Sequence, residues 1–81
     1  MSCTTLRPLL LDSVRAQATG NIAKAKANIE VYLHNPVGIG EHSDVLSSIQ
    51  VQLDVIAEES ERIEVINKHF TTHNHKQLPN Y

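Results

Sequence analysis

Apolar residues in the second half of the chain recur in alternating steps of four and three. Ile49, Leu53, Ile56, Ser60, Ile63, Asn67 and Phe70 mark a rhythm that is a heptad seam on one helix. The pattern predicts a long helix over 43–70, with Ser43 or Asp44 capping its first amide groups. Ser60 and Asn67 are polar, and polar groups in a seam cost stability but fix register and oligomeric state. A second apolar set, Val45, Leu46, Val55 and Ile66, lies beside the seam, while Val51 and Val65 point elsewhere again. One partner helix cannot cover that much apolar surface, so a bundle made from several chains is expected.

The first half has the same rhythm at Ala18, Ile22, Ala25, Ile29 and Tyr32. Leu11 and Val14 continue that stripe only if the phase slips once. The slip falls at Thr19-Gly20-Asn21, where glycine costs ~1 kcal/mol in a helix interior. The expectation is therefore a kink or break, with a short helix over 5–18, Pro8 tolerated in its first turn, and a second segment over 21–34. Pro36 pushes Asn35 out of helical geometry, and Gly38 and Gly40 free the backbone, so 35–42 reads as a bend. The polar, aperiodic stretch 71–81 reads as a mobile tail. The fold class predicted is all-α: an antiparallel helical hairpin with a kinked or broken first helix. It forms a single domain over 1–70 and assembles into a homo-oligomeric helical bundle.

Composition supports assembly. The chain has 81 residues, no Trp, one Phe and two Tyr, so its core must come from Ile, Leu, Val and Ala. Scaffolds this small usually complete a core by association. The single Cys3 makes no internal disulfide and suggests a reducing compartment. No apolar run approaches the ~20 residues of a membrane span and no signal-peptide pattern opens the chain, which points to a cytosolic protein. The net charge of −2 hides an uneven split, with the first half basic and the second acidic. No dense basic face is present for a DNA or RNA duplex.

Candidate chemistry is sparse. His69, His73 and His75 invite a metal reading, but no fourth ligand lies at a sensible spacing, so neither metal nor cofactor is expected. Glu58, Glu59, Glu61 and Glu64 read as a solvated charge run. No nucleophile elbow, phosphate loop or paired-carboxylate motif appears, and the reading is non-enzymatic. The remaining constellation surrounds the bend. Lys24 and Lys26 flank a face of the first helix, Tyr32 can stack on a base or fill the core, and Asn35, Val37, Gly38 and His42 bracket the turn. Exposed backbone amides just before a helix N-terminus make this a candidate anion pocket.

The string Asn28-Ile29-Glu30-Val31-Tyr32-Leu33-His34-Asn35-Pro36-Val37-Gly38-Ile39-Gly40-Glu41-His42-Ser43-Asp44, with Ile63 to Phe70 downstream, resembles a family of small helical proteins of tailed phages. These are the anti-CBASS sponges, which sequester the cyclic oligonucleotide signals of a bacterial immune system. The likeness covers roughly residues 21–70. It implies a homo-hexamer in the cytoplasm of the infected bacterial host that binds cyclic di- or trinucleotides without cleaving them. In the family, a Tyr and a Lys of the N-terminal half contact the dinucleotide. Lys26 or Lys24 matches the Lys, but Leu11, Asp12 and Arg15 stand where a Tyr is expected. That departure shifts the candidate contacts to Tyr32 and the bend. The alternative is an oligomeric structural or interaction protein with no nucleotide ligand.

Overall fold

The structure, a computed structural model, describes residues 3–34 and 42–71, with side chains from 6 to 34 and from 44 to 71. Two helices make up almost all of it, α1 (Cys3–His34) and α2 (His42–His69), and they pack on one another; the described residues contain no strand. At 1.5 Å per residue α1 is about 48 Å long and α2 about 42 Å. Side-chain bonds join Arg15 to Asn67, Asn21 to Glu59 and Asn28 to Gln52. Numbers that rise on α1 fall on α2, so the helices are antiparallel and the hairpin is as expected. Of the expected bend at 35–42, residues 35–41 lie outside the described residues and His42 is already helical; of the expected tail at 71–81, residues 72–81 lie outside them.

The expected break in the first helix is not present. Every residue from Cys3 to His34 is helical. The phase slip came from counting only apolar residues. In the structure Arg15 occupies the missing seam position, and Leu11, Arg15, Ala18, Ile22, Ala25, Ile29 and Tyr32 run in unbroken steps of four and three, each buried or half-buried. An arginine can hold such a position because its methylene stem packs while its guanidinium finds polar partners. Here Nε donates to Asn67 Oδ1 at 2.8 Å and a terminal nitrogen donates to Asp12 Oδ1 at 2.6 Å. Gly20 sits on the exposed side, where an added Cβ would meet nothing within 4 Å. Pro8 lies inside α1 as its sixth residue rather than in its first turn. Its missing N–H leaves one carbonyl near the helix start without a ladder bond.

The α2 seam is also turned relative to the expectation. Val45, Ser48, Gln52, Val55, Glu59 and Ile66 lie toward α1, with Ile49, Ile56 and Ile63 half-buried beside them. Leu53 is 50% exposed, Phe70 46% exposed, and Ser60 is exposed. The apolar heptad stripe exists, but it runs along the flank of the helix contact and not through its centre. The residues read as a secondary set, Val45, Val55 and Ile66, provide the facing positions. Polar partners on α1 favour this rotation: Asn21 and Asn28 pair with Gln52 and Glu59, which a seam centred on Leu53 would leave unpaired.

The ends of α2 carry charges that suit the helix dipole. Asp44 lies in the first turn of α2, and Lys68 and His69 lie in its last turn, each on the side the helix dipole favours. Phe70 N–H donates to Ile66 O at 2.9 Å, and the Thr71 hydroxyl donates to Asn67 O at 2.7 Å. The centre of the hairpin is thin. Among the described residues the buried apolar side chains are Ala18, Ala25 and Ile66, and no side chain larger than alanine is fully buried.

Candidate functional site

Two heptad-spaced pairs build the most polar part of the hairpin. Asn21 and Asn28 are seven residues apart on α1 and share one flank; Gln52 and Glu59 are seven apart on α2 and face them. Asn21 Nδ2 donates to Glu59 Oε2 at 3.1 Å, and Asn28 Nδ2 donates to Gln52 Oε1 at 3.3 Å. Lys24 lies between the two asparagines, one helical turn from each. Together with Ala25 and Val55 these residues line a cleft of about 460 Å³. Ala25 is fully buried and forms its floor.

The electrostatics of the cleft are balanced. Lys24 makes no ion pair with any described residue, so its ammonium is free to meet an anion. Glu59 is only 9% exposed, and both its oxygens are engaged, one by Asn21 and the other by Arg62 at 3.0 Å. Among the lining side chains Glu59 is the one carboxylate and Lys24 the one cation. Such a site holds a polar ligand by hydrogen bonds and one cation.

Of the residues singled out from sequence, the described ones are spread along the hairpin. Lys24 is in the cleft. Lys26, two residues on, is rotated ~200° around α1 and so faces away from it. Tyr32 is half-buried in the α1 seam, eight residues or about 12 Å further along the axis than Lys24. His42 is the first residue of α2, about 20 Å along the axis from the cleft's centre. Asn35, Val37 and Gly38 lie outside the described residues. Lys24, Tyr32 and the start of α2 therefore do not form one compact pocket in a single chain.

Sequence reasoning missed Asn21, Asn28, Gln52 and Glu59. The signal was available as polar residues repeating at seven on both halves. The glutamate run also needs correction, since Glu59 is buried and bonded while Glu58, Glu61 and Glu64 are exposed. Arg62 ties Glu59 to Glu58 by approaching the second carboxylate to 3.5 Å. Among the described residues no cluster of three His, Cys, Asp or Glu side chains is placed to hold a metal ion. His69 instead meets the ring of Phe70 edge-on, with centroids 6.4 Å apart. His73 and His75 lie outside the described residues.

A second concavity, about 320 Å³, opens where the start of α1 meets the end of α2. Leu6, Leu10, Leu11 and Phe70 line it, with Arg7 beside them. No described helix is long and apolar enough to cross a membrane.

Compared with known proteins, the chain matches no family model, and no curated protein or solved structure is significantly similar to it.

Proposed function

We propose that this protein is a non-enzymatic, self-assembling helical hairpin, and that its assembly sequesters cyclic oligonucleotides. The observation that carries the first part is the imbalance of apolar surface. Leu6, Leu9, Leu10, Val14, Val31, Leu33, Leu46, Val51, Leu53, Val65 and Phe70 are all between 42% and 63% exposed, while among the described residues nothing larger than alanine is fully buried. Burying one such side chain contributes about 1.5–3 kcal/mol, and the hairpin alone leaves most of that unrealised. Copies of the chain offer the matching surface.

The ligand is supported by the likeness of 28–44 to the phage sponge family and by Lys24, which lies among amide side chains and has no ion-pair partner among the described residues. A cyclic dinucleotide carries two phosphates and two aromatic faces, so it calls for cations, hydrogen-bond donors and a flat surface. Stacking on an aromatic ring such as Tyr32 contributes ~1–3 kcal/mol per base. Symmetry supplies what one chain lacks, because Lys24 of one copy and the bend of another can meet the same ligand. In this reading the protein acts in the host cytoplasm as a trap, homo-hexameric in the manner of the family, and ligand leaves it intact.

A second reading is favoured by Glu59, whose carboxylate shares the cleft with Lys24 and offsets its charge. There the amide pairs only fix helix register, and the protein is a structural or interaction module without a nucleotide. Thermal shift with cyclic di- and trinucleotides separates the two. The sponge raises the melting temperature at micromolar ligand, releases unaltered ligand on heating, and loses the shift in Lys24→Ala while keeping it in Lys26→Ala. No shift with any cyclic nucleotide leaves the interaction module.

A further inference from the structure

The two sides of the hairpin differ. Asn21, Asn28, Gln52 and Glu59 bond across one side. On the other, Arg15 reaches Asn67. Residues at heptad spacing from that pair must share its side: Ile22 and Ile29 on α1, and Leu53 and Ser60 on α2. Ile49, Ile56 and Ile63 border the same stripe. All five isoleucines are only half-buried, and Leu53 is 50% exposed. One side of the hairpin is therefore a polar cleft, and the other is a plate spanning both helices, on which isoleucines and Leu53 lie beside Arg15, Ser60 and Asn67.

Charge says what covers the plate. Helix α1 carries four cations (Arg7, Arg15, Lys24, Lys26) against two carboxylates, whereas α2 carries six carboxylates against Arg62 and Lys68. Laying the plate on a second copy with α2 over α2 would set two acidic helices side by side. Laying α2 over the other copy's α1 sets each acidic helix beside a basic one. Only a two-fold axis parallel to the helices does this when two such plates stack face to face. Rotation about that axis leaves axial height unchanged, so each contact between copies is antiparallel and in the same register as the contact within the hairpin.

We propose that two copies stack through this plate into a four-helix bundle in which α2 of each packs on α1 of the other. This rests on the self-assembly reading above and specifies its interface. Since Asn28 is level with Gln52, position 26 of one copy lies within about two residues' rise of position 53 of the other, and position 19 stands in the same relation to position 60. Thr19, Lys26, Leu53 and Ser60 are all exposed in the single hairpin.

The test is a cross-link between differently substituted chains, both carrying Cys3→Ser. Chains with Lys26→Cys are co-expressed with chains bearing Leu53→Cys. Thr19→Cys with Ser60→Cys is a second pair at milder positions, should the first perturb folding. Mild oxidation is expected to make a mixed disulfide dimer the main species in each co-expression, with neither variant linking to itself. Multimeric chains that give no mixed link in either pair overturn this interface and leave self-assembly standing. Folded chains of single-copy mass overturn both.

Discussion

The bond between Asn21 and Glu59 offers a quantitative test of the polar rung that sets helix register. Glu59 is 9% exposed and accepts from Asn21 at 3.1 Å and from Arg62 at 3.0 Å. Truncating it with Glu59→Ala removes a hydrogen bond to a charged acceptor, which contributes about 1.5–3 kcal/mol, and leaves the half-buried Asn21 amide without this partner. The Arg62 contact adds little, ~0.2–1 kcal/mol, because that guanidinium is 47% exposed and retains Glu58. Asn21→Ala instead leaves a buried carboxylate with one partner fewer, costing about 1–3 kcal/mol. The double variant leaves neither orphan, so its cost should fall short of the two single costs together by at least ~1 kcal/mol. Urea unfolding followed by circular dichroism, at one fixed protein concentration, measures all four proteins. Additive costs, agreeing within ~0.5 kcal/mol, would refute the reasoning and show that the two side chains do not act as a pair.

Three further outcomes are expected. Gly20→Ala should stabilise the protein by about 0.5–1 kcal/mol, because α1 is continuous there and the new Cβ meets nothing; destabilisation would restore the break. Ala25→Leu should cost about 1–3 kcal/mol by forcing the helices apart, while Ala27→Leu on the exposed side should shift stability by no more than ~0.5 kcal/mol; equal effects would deny the close approach at Ala25. Arg15→Met should keep the helical signal but lose the Asn67 contact, lowering stability by about 1–2 kcal/mol in chemical denaturation, and an unchanged midpoint would make that contact incidental.

The hairpin was legible in the sequence because heptad spacing in both halves constrains where helices run, and the helix ends fell within two residues of expectation. The seam on α1 was legible too, apart from Arg15. A charged residue at a seam position looks like a phase error when only apolar side chains are counted, and the false break at Thr19-Gly20-Asn21 followed from that. The rotation of α2 was hidden for a related reason. Leu53 and Phe70 are better seam residues by hydrophobicity than Gln52 and Glu59, but the hairpin turns to satisfy amide and carboxylate groups that burial would otherwise penalise. The leftover apolar stripe is what the proposed second helix pair would cover, and the pattern of one chain does not say which helix that is. Lys24 was identified, yet its companions Asn21 and Asn28 drew no notice, since asparagine in a helix carries a weak signal until its partner across the interface is known.

Mass in solution tests the central claim most directly. Sedimentation equilibrium of the full chain at low micromolar concentration should give a multiple of 9.0 kDa that is even in copy number, with a melting temperature that rises with protein concentration. A folded species of 9.0 kDa whose melting temperature does not change with concentration would contradict the account.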